Sequence, residues 1–110
     1  MSLFNRKSIL LSESEFTLGA LDYTIQGAYD NVKTYPLEVK AGKKVFVEIK
    51  TSAPIDVSLV DTKGMNAKFK ENYEGGIFGP VEVKEKGIMT LILGIYRGEK
   101  SQVEFTAWME

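Results

Sequence analysis

Cysteine and histidine are both absent from this chain of 110 residues. Without cysteine there is no disulfide staple and no thiolate metal site. Without histidine the chain lacks the side chain most often used as a general base near neutral pH, and the commonest metal ligand. A Ser-His relay is therefore impossible, and no G-x-S-x-G elbow surrounds Ser12, Ser14, Ser52 or Ser58. An excess of one charge is missing too: 14 basic residues stand against 15 acidic ones. Nucleic-acid binders carry a clear basic excess, so no nucleic-acid partner is expected. The apolar runs are too short to cross a bilayer, so the chain is not expected to span a membrane. Ile9-Leu10-Leu11 is only a fragment of an apolar segment and makes no signal peptide. Linkers, low-complexity stretches and repeats of fixed period are also lacking.

What remains is an alternation. Val45-Phe46-Val47-Glu48-Ile49-Lys50 and Ile55-Asp56-Val57-Ser58-Leu59 place apolar and polar residues in strict turn, and Val81-Glu82-Val83-Lys84 and Val103-Glu104-Phe105-Thr106-Ala107 repeat the rhythm. Period-two alternation puts one face of a strand on a core and the other in water. Turn signals fall at short intervals between these runs: Ala41-Gly42, Ala53-Pro54, Gly64, Gly75-Gly76, Gly79-Pro80, Gly87 and Gly98. The expected fold is all-β, an antiparallel two-sheet β-sandwich of about eight strands with jelly-roll or Greek-key connectivity. The strands are expected near 8–12, 22–29, 35–40, 44–50, 55–60, 66–73, 80–84 and 88–96, with a ninth element at 101–108. The 66–73 segment suits helix or strand by spacing; Asn66, Asn72 and the nearby glycines favour strand. Ser12-Glu13-Ser14-Glu15 has the form of a capping box, but Gly19 arrives before a helix could lengthen. The chain fits one domain over 1–110, with residues 1–7 read as a tag or a disordered lead-in.

Two registers follow from the pattern. If 88–96 and 101–108 form a hairpin, inward residues must meet, which sets Ile95 opposite Val103, Leu93 opposite Phe105 and Leu91 opposite Ala107. If 44–50 pairs with 55–60, setting Lys50 against Asp56 avoids a Glu48–Asp56 clash; the alternative is that these two strands lie in different sheets.

The segment Ile88-Met89-Thr90-Leu91-Ile92-Leu93-Gly94-Ile95-Tyr96 is apolar on both phases, and such a strand is normally covered on both sides. Phe46 and Trp108 share the off-phase character. One explanation is cover supplied by a loop, the N-terminal segment or a strand bend. The sharper one is an outward patch of Phe46, Ile92, Tyr96 and Trp108 that another molecule covers; an aromatic-rich edge strand would also invite pairing with a second chain.

Candidate acids, Asp22, Asp30, Asp56, Asp61, Glu71 and Glu74, sit in no catalytic motif. Calcium is the one metal whose oxygen-only chemistry suits such residues. Asp61-Thr62-Lys63-Gly64-Met65-Asn66 lacks the D-x-[DN]-x-[DN]-G frame, and it and Asp30-Asn31 read more simply as Asx turns. No metal or cofactor is expected.

Three segments carry a family likeness: Tyr35 to Ile49 with its Ala41-Gly42 turn, Ala53-Pro54-Ile55-Asp56-Val57-Ser58-Leu59-Val60-Asp61, and Lys86-Gly87-Ile88-Met89-Thr90-Leu91-Ile92-Leu93-Gly94. Their order resembles that of the pre-peptidase C-terminal domains and the GOLD-type (Golgi dynamics) domains. Where those families have a Gly-Tyr pair before the penultimate strand, this chain has Gly87-Ile88, and the GOLD cysteine pair is absent. The resemblance implies a non-catalytic module that binds proteins, lipids or a surface, and it brings no site residues with it.

The expected function is a non-enzymatic interaction module that binds a protein partner or self-associates through its apolar outer surface. The rival is a carbohydrate-binding module, which would stack sugar rings on exposed Trp108, Tyr29, Tyr35, Tyr73 or Tyr96. A complete chain would be cytoplasmic; a module excised from a longer protein would be extracellular or cell-surface.

Overall fold

A computed structural model describes residues 7–19, 31–96 and 98–110. The expected strand at 22–29 and the reading of residues 1–6 lie outside them. Among the described residues there are eight strands: β1 (Ser8–Leu18), β2 (Val32–Val39), β3 (Lys44–Thr51), β4 (Ile55–Val60), β5 (Asn66–Tyr73), β6 (Gly76–Glu82), β7 (Gly87–Gly94) and β8 (Ser101–Met109). They form two antiparallel sheets of four, ordered β1-β8-β3-β6 (sheet A) and β2-β7-β4-β5 (sheet B). The pairs β1·β8, β2·β7, β3·β6 and β4·β5 nest like the rungs of one long hairpin. Successive rungs fall in alternate sheets, and β3·β8 and β4·β7 join them within each sheet. This is the jelly-roll solution to closing eight strands into two layers.

The alternation did its expected work. Val45, Val47 and Ile49 of β3, Ile55, Val57 and Leu59 of β4, Met89, Leu91 and Leu93 of β7, and Val103, Phe105 and Ala107 of β8 are buried between the sheets. An aromatic cluster closes the β1–β2 side: Phe16, Tyr35 and Phe105 have ring centroids 4.9–6.4 Å apart. The Ser12–Glu15 stretch lies in a strand, as Gly19 implied, and 66–73 is a strand as well.

The expected β7–β8 hairpin does not form. Leu91 pairs with Tyr35 and Leu59, and Ala107 pairs with Leu11 and Val47. The loop after β7 crosses from one sheet to the other, starting where Ile95 N–H donates to the Asn31 carbonyl at 2.9 Å. Likewise β3 and β4 lie in different sheets, so the Lys50–Asp56 register does not arise and the stated alternative holds. Strand β6 begins ahead of its expected start because Gly79 lets a bulged strand continue. Its φ is 121°, and a Cβ there would lie 2.6 Å from the Val45 carbonyl oxygen.

All four sheet edges carry features that discourage pairing with another chain. Pro36 and Pro80 sit on edge strands β2 and β6. Strands β1 and β5 are interrupted by register shifts. On β2 and β5, Lys33, Lys68 and Lys70 occupy inward positions opposite Leu93, Leu59 and Val57.

Candidate interaction surface

The outward residues of a sandwich decide what it can touch, and here the two outer faces differ. On sheet A most come in matched rows, and Ile9 and Ile77 stand exposed on its two edge strands. Lys50 pairs with Glu104 across β3 and β8, Nζ to Oε1 3.8 Å. Ser12 and Thr106 hydroxyls hydrogen-bond at 3.0 Å, and Thr17 Oγ1 donates to Gln102 Oε1 at 3.1 Å. Lys44 lies opposite Glu82.

Phe46 and Trp108 belong to that same face. They are direct cross-strand partners, their rings stacked with centroids 5.3 Å apart and planes 4° from parallel. Trp108 is only 5% exposed. The Lys7 ammonium lies 4.0 Å from its ring centroid, a cation–π contact, and its Nε1–H donates to Glu110 Oε2 at 2.7 Å. A ring with both its polar handle and its π-face engaged within the chain is packed, not presented.

Ile92 and Tyr96 lie on the other side of the molecule. Ile92 is an outward, half-buried residue of β7, set between Thr34 of β2 and Ser58 of β4. Tyr96 follows the strand and is 71% exposed. The four candidate residues therefore form no single patch: Phe46 and Trp108 stack on sheet A, Ile92 lies on sheet B, and Tyr96 stands at the end of the sandwich. Phe46, Ile92 and Trp108 also sit on interior strands, so none offers a free edge.

Around Ile92 the register brings together residues that sequence patterning did not single out. Four rows run across sheet B: Val32–Gly94–Asp56, Thr34–Ile92–Ser58–Phe69, Pro36–Thr90–Val60–Asn66, and Glu38–Ile88. Val32 is 59% exposed, Phe69 50% and Ile88 47%. Ser58 Oγ donates to Asn66 Oδ1 at 2.7 Å. The charged residues of this face are Glu38 at one end and, at the other, Asp56 with the exposed Glu71 of β5. No single strand shows this face. Val32 and Phe69 lie at opposite edges of the sheet, and only the strand order makes them neighbours of Ile92.

Two clefts flank this layer. One, of about 480 Å³, lies at the end of the sandwich beside Tyr96, with Asp56, Asn72, Glu99 and Lys100 on its walls. Asp56 Oδ1 accepts the Asn72 N–H there at 3.1 Å. The other, of about 720 Å³, opens between β5 and β6 above Val81, Val83 and Met89. Its rim mixes signs, and Lys63 is paired with Glu85 at 3.3 Å.

The Asp61–Asn66 segment is an Asx turn, with Asp61 Oδ1 accepting from Lys63 N–H and Met65 N–H, each at 2.9 Å. Among the described residues no three acidic side chains gather as a metal site would need, and no helix is long and apolar enough to cross a membrane. No protein-family model and no curated protein sequence matches the chain.

Proposed function

We propose that this chain is a non-enzymatic interaction module whose working surface is the outer face of sheet B, used to bind a protein partner or a second copy. One observation carries the reading: a four-stranded outer face with Val32, Ile88, Ile92 and Phe69 across it and charge only at its ends. Apolar residues left exposed together on one face, among neutral hydroxyls and an amide, favour a docking role. The lack of histidine and cysteine supports the non-enzymatic part. So do the edge features, which turn association away from the strand edges and toward the faces.

Ile92→Glu places a charge at the centre of the face without touching the core. Cross-linking in extracts of the native source should recover a partner with wild type and lose it with Ile92→Glu. Recovery of the same partner by both would overturn the reading.

A carbohydrate-binding reading rests on Tyr96, the strongly exposed ring beside the 480 Å³ cleft. Trp108 no longer supports it, because that ring is covered within the chain. Retardation in a polysaccharide gel that is lost in Tyr96→Ala would favour sugar over protein.

A further inference from the structure

The outer face of sheet B has a charge pattern that discriminates between occupants, and this deepens the interaction reading just given. Of the outward positions on its strands, Glu38, Asp56 and Glu71, which follows outward Phe69 by two residues on β5, are charged and all are acidic. The lysines of the same strands are turned away. Lys33 points inward with its ammonium 5.0 Å from the Phe16 ring centroid, Lys68 lies 5.7 Å from that of Phe78, and Lys70 sits opposite Val57. Lys100 and Glu99 line the end cleft, not the face.

A second copy is a poor fit to such a face. A two-fold contact is self-complementary. Any such contact sets against each other two faces whose outward charges are all acidic. The face is also small, about 20 Å by 25 Å from strand spacing and rise. Those roughly 500 Å² fall short of the ~800 Å² per partner usual in stable interfaces, which makes a contact here short-lived whatever the partner.

We infer that the occupant is a different protein chain, one presenting an uncharged apolar centre flanked by lysine or arginine at both ends. From the Val32–Gly94–Asp56 row to the Glu38–Ile88 row is six residues of β2, so the two basic groups stand about 20 Å apart along the strands. The contact is transient, and charge acts mainly on its rate of formation and on partner choice.

The test uses two synthetic peptides with the same Val/Thr/Leu centre, one ending in lysines and one in glutamates, titrated into the intact chain at low and high salt. The lysine-ended peptide should shift the amide signals of Thr34, Thr90 and Ser58 and leave the Trp108 indole signal unmoved. It should bind roughly threefold to tenfold more weakly at high salt, the factor expected of two rim ion pairs. Glu38→Gln and Glu71→Gln with Asp56→Asn, which keeps a hydrogen-bond acceptor for the Asn72 N–H, should remove that preference. Glu38→Lys with Asp56→Lys should reverse it. Sedimentation should show a monomer at low salt. Equal binding of both peptides would overturn the charge inference while leaving the interaction reading standing. Self-association through sheet B at low salt would do the same, naming a second copy as occupant. No shift on this face from either peptide, with no self-association, would sink both.

Discussion

The outer faces of the two sheets are built from the same pleat and put it to opposite uses. Sheet A closes its central rows on themselves, acid to base, hydroxyl to hydroxyl and Phe46 to Trp108, and leaves Ile9 and Ile77 exposed apart from each other on its two edge strands. Sheet B leaves Val32, Ile88 and Phe69 in water with charge only at the ends of the face. The lesson is that residue type alone does not mark a docking surface. The largest aromatic in the chain is structural because its neighbours satisfy it, while smaller residues on the other layer stay open because theirs do not.

The strongest way to break this comparison is Trp108→Ala. If the ring is packed as described, truncation removes a nearly buried side chain, its stack and its hydrogen bond. Urea unfolding should then report a loss of about 3–5 kcal/mol, and wild-type Trp108 fluorescence should resist quenching by iodide. A loss under about 1 kcal/mol would make Trp108 an ornament of the surface and erase the contrast between the sheets.

A smaller effect separates the inner and outer phases of β7. Leu91→Ala empties a fully buried site and should cost about 2–5 kcal/mol. Ile92→Thr, one residue away on the outer face, should cost about 1 kcal/mol or less while weakening partner binding. Comparable losses from the two would mean that sheet B's outer face is covered within the monomer.

Next comes Lys50→Ala on sheet A. Both partners of the Lys50–Glu104 pair are well exposed, so thermal melts should show a loss of about 0.2–1 kcal/mol that fades with added salt.

The smallest effect is confined to alkaline pH. Burial raises the Tyr73 hydroxyl above its ordinary value of 10.0, so the unfolded chain releases this proton at a lower pH than the folded one. Stability should hold below pH 10 and decline as pH rises from there through the folded value. Tyr73→Phe should flatten that decline in a pH series of denaturation midpoints; an unchanged slope would assign it to other groups.

Most of the architecture could be read from the letters because burial imposes a period on a strand. Val45, Val47 and Ile49 point inward whatever sheet they join, so their depth was plain. Which sheet they joined was not, because alternation distinguishes inside from outside and is silent about neighbours. That is why Ile95 and Val103, close in sequence and both inward, suggested a hairpin, when the loop between them crosses the sandwich. The ends of β1 were blurred for a local reason: shifts between Ile9 and Leu11 and between Glu13 and Phe16 break the rhythm that marks a strand. Phe46 and Trp108 were rightly noticed as off-phase. Their cover by each other and by Lys7 depends on register and on a long side chain, neither of which leaves a trace in spacing. The face around Ile92 was hidden more deeply, since Val32, Ile88 and Phe69 come from three strands and are unremarkable in each.

The nested strand order bears on how this protein is born. Ser8, in the first of the described strands, finds its partner in Met109, in the last of them. Strand β8 then lies between β1 and β3, so sheet A cannot close until translation of the domain is nearly done. Until that moment the oily phases of β1 and β3 have no ladder between them. Among the described strands only β4 and β5, joined by the tight Asp61 turn, pair with a neighbour in sequence, and folding should begin there and proceed outward.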